Sequence, residues 1–193
     1  LMGQGSDDFK VSALLTRATL TAPMAVSLNA NLKGSIQSVA ASGSGAGTAA
    51  INGSVTTNVV EADVVAEVDG GSQAGSGGAF TVQANNQAAI SSLAGTISGA
   101  GTAAVGAAVS VNEIGGTVTA RVKNHTMRAT GAVDVGATSS GTIRSVAAGV
   151  SGAGTTALAG SNTTNAITST VLAQMDNVTQ AVASASLRVQ SLD

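Results

Sequence analysis

The pentapeptide Ser-Gly-Ala-Gly-Thr stands at Ser44–Thr48, at Ser98–Thr102 and at Ser151–Thr155, so its copies begin 54 and then 53 residues apart. Five small residues could coincide by chance in a chain with 25 glycines, but the flanks agree as well. Ile36, Ile90 and Ile143 each open an Ile-x-Ser-hydrophobic-Ala motif eight residues before the shared serine. Asn58, Asn112 and Asn165 match downstream, followed by Val64-Val-Ala-Glu-Val68-Asp, Val118-Thr-Ala-Arg-Val122-Lys and Val171-Leu-Ala-Gln-Met175-Asp. Phe80-Thr-Val82, Val133-Asp-Val135 and Leu187-Arg-Val189 match again, and one unit back stands Val26-Ser-Leu28. Recurrence at several separate points defines a repeat of about 54 residues, and such units bury their apolar edges against their neighbours. The array is placed at residues 24–193, about three and a half units with cores near 36–89, 90–142 and 143–193. Residues 1–23 read as a partial repeat or a junction sequence, with the start, Leu1 to Asp8, unlike a signal peptide.

Within a unit the local signal is alternation. Val64, Ala66 and Val68 fall on one face of a strand, with Asp63, Glu67 and Asp69 on the other. Val118-Thr-Ala-Arg-Val122-Lys and Phe80-Thr-Val82-Gln repeat the pattern. The Ala-rich stretch Thr102–Val109 has helix propensity, but Gly106 interrupts it and the preceding Ser-Gly-Ala-Gly reads as a turn. Small residues on both faces there imply a strand covered on both sides, or sheets lying unusually close. The expected fold is all-β, a parallel β-helix or β-solenoid. Two coil sizes fit. One unit could make one wide coil, stacking Asn58, Asn112 and Asn165 in a ladder and setting Glu67 beside Arg121 and Asp69 beside Lys123, at about 4.8 Å. It could instead make three coils of about 18 residues, an option supported only by the apolar series Leu28, Ala46, Val64 and Val82.

Composition narrows the function. Only 9% of residues are charged and the net charge is −2, so the chain has no basic footprint for nucleic acid. Without cysteine it can form no disulfide, Cys-ligated metal site or thiol nucleophile. No apolar run is long enough for a membrane helix, and no membrane insertion is expected. Aromatic content of 1% requires a thin core built mainly of Ala and Val.

No residue set carries catalysis, and no cofactor or metal ligand set is expected. His125 is the only histidine and reads as a solvated turn residue. Gly43-Ser-Gly-Ala-Gly47 lacks both the GxGxxG spacing and a following Gly-Lys-Ser/Thr, so it reads as a structural turn and not a phosphate cradle. Glu61, Asp63, Glu67 and Asp69 could serve glycoside hydrolysis or bind Ca²⁺, but spacing by two also describes a solvated strand face. Four sequons begin at Asn52, Asn124, Asn162 and Asn177 and read as turns. Thr56, Thr57, Thr163 and Thr164 suggest an ice-binding row, broken by Ser110 and Val111 in the middle copy.

The segment 98–120, Ser-Gly-Ala-Gly-Thr-Ala-Ala-Val-Gly-Ala-Ala-Val-Ser-Val-Asn-Glu-Ile-Gly-Gly-Thr-Val-Thr-Ala, resembles the repeats of leukotoxin-type filamentous adhesins, which belong with the haemagglutinin-like secreted exoproteins of Gram-negative bacteria. The resemblance covers about residues 24–191; the outer copies depart from it with Ile51-Asn-Gly-Ser and Leu158-Ala-Gly-Ser in place of Val105-Gly-Ala-Ala. It implies a β-helical stalk, secreted or held at the bacterial cell surface by a two-partner or autotransporter route, and no catalytic residues. The expectation is a non-enzymatic stiff segment of an adhesin or filament. Its partners would be a continuing chain, further copies end to end, or a host-cell or matrix glycan. The alternatives are a carbohydrate- or receptor-binding solenoid and, behind it, a polysaccharide-cleaving β-helix enzyme.

Overall fold

A computed structural model describes residues 9–70, 73–182 and 186–193, and Leu1 to Asp8 lie outside these. Ten strands follow one another: β1 (Phe9–Thr16), β2 (Leu20–Ala22), β3 (Val26–Ala46), β4 (Ala49–Asp69), β5 (Gln73–Ser76), β6 (Phe80–Ala100), β7 (Ala103–Ala129), β8 (Val133–Ala153), β9 (Thr156–Val182) and β10 (Leu187–Leu192). Each pairs in parallel with its equivalent one repeat away. Ile36 lies beside Ile90, which lies beside Ile143. The fold is a parallel β-solenoid, and one repeat makes one wide coil; the series Leu28, Ala46, Val64, Val82 marks no smaller coil, since Leu28 and Val82 are partners a whole repeat apart.

A coil has two long arms and one short side. The first arm (β3, β6, β8) runs out to a tip at Gly47-Thr48, Gly101-Thr102 or Gly154-Thr155. The second arm (β4, β7, β9) runs back and turns a corner at Gly70, Asn124 or Asn177. The short side is β5 in one coil and Thr126–Ala129 at the end of β7 in the next. Segments β1 and β2 supply the return half of a preceding coil, and β10 the start of a following one. Only the last two residues of each Ser-Gly-Ala-Gly-Thr form the tip, because the first three close the outgoing strand. An arm of 21 residues spans about 70 Å, whereas a coil rises only about 4.8 Å.

Near the corner the three sides enclose one core. Val64, Val68, Val118 and Val122 come from the second arm, Phe80, Val82, Val133 and Val135 from the first, and Met127 and Ala129 from the short side. Identical positions stack, so Val11, Val64, Val118 and Val171 form one file along the axis. The corner requires a left-handed residue: φ is +83° at Gly70, +49° at Asn124 and +47° at Asn177. Gly and Asn adopt that region most readily. The two asparagines stack, with Asn177 Nδ2 donating to Asn124 Oδ1 at 2.9 Å.

Towards the tip the short side is absent, the two arms meet directly, and the pattern inverts. The inward rows become small and largely polar: Ser92, Thr96 and Ser98 on β6, Ser110 and Asn112 on β7, with Ala94, Ala104 and Ala108 among them, all buried. The outward rows become apolar, with Leu93, Ile97, Val105 and Val111 exposed. The arms lie too close for large inward side chains. A Cβ on Gly149 would stand 2.8 Å from the Gly160 carbonyl oxygen of the facing arm. Short hydroxyl side chains suit this gap because they reach the opposite backbone. Ser54 Oγ donates to Ala40 O at 3.0 Å, Ser42 Oγ to Gly53 O at 2.8 Å, Ser98 Oγ to Val105 O at 2.9 Å and Ser151 Oγ to Leu158 O at 2.7 Å. Deeper in, the asparagine ladder forms as the sequence implies. Asn58 Nδ2 donates to Asn112 Oδ1, and Asn112 Nδ2 to Asn165 Oδ1, both at 2.8 Å.

Core and surface have therefore exchanged character along each arm, which urea denaturation can test. Phe80→Ala, in the corner core, is expected to remove about 3–5 kcal/mol of stability. Ile97→Ala, also apolar but outward near the tip, is expected to change it by less than about 0.5 kcal/mol.

Candidate functional site

The densest group of ionisable side chains lies on the outer face of the second arm. Parallel register places Glu67 beside Arg121 and Asp69 beside Lys123, the pairing expected for one coil per repeat. Arg121 Nη2 and Lys123 Nζ each stand 2.8 Å from a Glu67 carboxylate oxygen, and Lys123 Nζ stands 3.4 Å from Asp69. Partial burial alone would raise the Glu67 pKa, but the hydrogen bonds from Lys123 and Arg121, with their charges, outweigh it and hold the carboxyl below 4.5. The Glu67 hydrogen bond likewise lifts Lys123 above 10.5.

This electrostatic state bears on the glycosidase reading. A glycoside hydrolase needs one carboxylic acid whose pKa is raised so that it can protonate the leaving oxygen. Glu67 is shifted the opposite way and its oxygens are engaged. Asp63 is engaged too, its Oδ1 accepting the Thr117 backbone N–H at 3.0 Å. That contact replaces ladder bonds at a local break, where Gly116 has φ +121° and a Cβ would stand 2.0 Å from Ala62 O. The four carboxylates thus divide: Glu67 and Asp69 join coils, Asp63 caps the break, and Glu61 faces outward.

Glu61, Glu113, Gly115, Gly116, Thr168 and Thr170 line a shallow depression of about 230 Å³ at the break. A second depression, of about 290 Å³, crosses the first arm at Lys33, Gln87 and Ser140. Both mark the waist between the three-sided core and the thin distal arms. Among the described residues no group of three or more His, Asp or Glu side chains is placed to hold a metal ion. A polar outer ladder runs beside the waist on the first arm, where Asn85 Nδ2 donates to Asn31 Oδ1 at 2.7 Å.

The other sequence candidates separate. His125 is buried at 3% exposure, not a solvated turn residue, and neither ring nitrogen has a hydrogen-bond partner. The left-handed residue Asn124 resets the alternation, so the side chain after it points into the coil. The threonines form no flat row: Thr56 is inward and buried, bonded to Ser110 Oγ at 2.9 Å, while Thr57 is outward. Of the sequon asparagines, Asn52 reaches across to Ile97 O at 3.1 Å and Asn124 and Asn177 stack at the corner. The Gly-rich segment supplies strand ends and the tip.

Burial lowers the His125 pKa below 6.5. Between that value and 6.5 the unfolded chain binds a proton that the folded chain does not, so the contribution is complete above 6.5 and is lost as pH falls through this window. The unfolding free energy from urea titrations should fall as pH drops below 6.5, by at most about 1.4 kcal/mol per pH unit for one proton. His125→Val, which copies Val178 at the same position one coil on, is expected to flatten that dependence.

No family model, curated protein or solved structure matches this chain.

Proposed function

We propose that the chain is a structural segment of a secreted or cell-surface bacterial adhesin or filament, acting mechanically and not as an enzyme. One observation carries the reading: parallel main-chain pairing between equivalent residues recurs in every coil, interrupted locally at Gly116, and ends, among the described residues, on uncovered strands. At one end β3 pairs only with β6, and at the other β9 pairs only with β7. These edges are 21 and 27 residues long. Lys33 is the only charged residue of β3 and Asp176 the only one of β9, and neither strand contains proline. Long edges with a single charge and no proline invite another strand. A continuing chain or a further copy is the partner they suit.

The proportions specify the kind of segment. About 54 residues lift the axis by only about 4.8 Å, so the chain builds breadth and stiffness more than height. A second reading, a carbohydrate- or receptor-binding solenoid, draws support from that breadth, because each arm offers a flat face about 70 Å wide.

Electron microscopy and fibre diffraction of concentrated protein test the first reading. Filaments with a meridional spacing of about 4.8 Å are expected. Single plates that never extend at any concentration would defeat it. A glycan array read on the same material supports the second reading if it gives saturable binding.

A further inference from the structure

The outward face of the second arm, near the tip, carries a ridge and a groove that run along the coil axis. Ile51, Val105 and Leu158 stack into the ridge, and Ile51 is 82% exposed. One step along the strands, Gly53, Ala107 and Gly160 stack into the groove. The flanking rows continue the alternation in the first two coils, small at Ala49 and Ala103 and large at Val55 and Val109, and carry Thr156 and Asn162 in the third. No residue in these four rows is ionisable.

Nothing within the chain requires glycine in the groove. A Cβ on Gly53 would meet only the Ala107 carbonyl oxygen, at 3.9 Å, and one on Gly160 would meet nothing within 4 Å. Neither has a positive φ. Glycine in a strand interior weakens the strand and often marks a close approach by another backbone or ligand. No described part of the chain makes such an approach to Gly53 or Gly160.

We propose that this face pairs with the same face of a second copy, about a two-fold axis parallel to the coil axis and lying between ridge and groove. That rotation reverses strand direction and keeps each coil at its own level. Val105 then faces the second copy's Ala107, and the row of Ala49 faces the row of Val55. In the first two coils every large residue meets a small one, on both copies at once, as an isologous contact requires, and in the third Thr156 faces Asn162. Dry, interdigitated sheet faces of this kind form steric zippers. The overlap is about 26 by 14 Å, roughly 400 Å² per copy, against about 800 Å² per partner in a standard interface. Three coils therefore pair weakly and reversibly, and every added coil lengthens the zipper.

The experiment is sedimentation velocity on the whole chain from micromolar to millimolar concentration, with small-angle scattering on the same samples. The wild type is expected to shift towards dimer with a thicker particle of unchanged height. Gly53→Val with Gly160→Val fills the groove without strain and should abolish the shift, circular dichroism remaining that of the wild type. Gly99→Val, an outward glycine of the other arm with nothing within 4 Å of its Cβ, should leave the shift intact. A wild type that stays monomeric overturns the proposal. So does a dimer that survives groove filling, or association that lengthens the particle along the coil axis, which would instead reflect the uncovered strand ends. Binding of the monomer to phosphatidylcholine vesicles without pairing also overturns it.

Discussion

Parallel main-chain hydrogen bonding between equivalent residues one repeat apart governs the whole molecule. It fixes which side chains touch, because every residue lies beside its own counterpart in the next coil. A repeated valine becomes a valine file, a repeated asparagine becomes an amide ladder, and a change from Glu67 to Arg121 becomes an ion pair. Cross-strand neighbours are the unit of sheet stabilisation, and here the sequence sets them by simple repetition. The break in the β4–β7 ladder at Gly116 is closed by the Asp63 carboxylate.

A coil this wide cannot be filled like an ordinary core. With almost no aromatic residues, the chain has bulk for one large enclosed region, where three sides meet around Phe80 and Met127, and for a small second cluster of Ala88, Ile90 and Ile114. Beyond it the arms come together until hydroxyl groups on one reach carbonyl oxygens on the other. Each such bond contributes about 0.5–1.5 kcal/mol net. They act without volume, which is what the narrow gap demands. The aliphatic residues displaced from the interior appear on the outside.

Much of this was legible in the sequence. The period, the strands, the parallel solenoid, the asparagine ladder and the pairing of Glu67 with Arg121 all follow from matched positions, since identity at a fixed spacing is a direct readout of stacking. Coil size was ambiguous because matched positions 54 residues apart are also compatible with extra coils inside the unit, and only the uninterrupted arms decide it. His125 was misread because alternation predicts direction only while the backbone stays extended, and the left-handed Asn124 shifts the phase by one. The inversion near the tip was hidden for a related reason. Period two says that neighbours face opposite ways, not which way is inward, and where both sets are small or moderately apolar the sequence offers no label. The roles of Asp63 and Gly116 depend on a ladder break that has no signature in the repeat.

The separation between bonded partners also shapes how such a chain reaches its native state. No strand pairs with a sequence neighbour; the first ladder forms only after a segment of about 54 residues has closed on itself, at an entropic cost of roughly 3.5 kcal/mol beyond a constant. Topologies dominated by distant contacts fold slowly. Once one coil exists, however, its edge is a template, and each later coil needs only to lay itself down along a finished strand. The slow event is the first lap, and order then spreads along the axis one layer at a time.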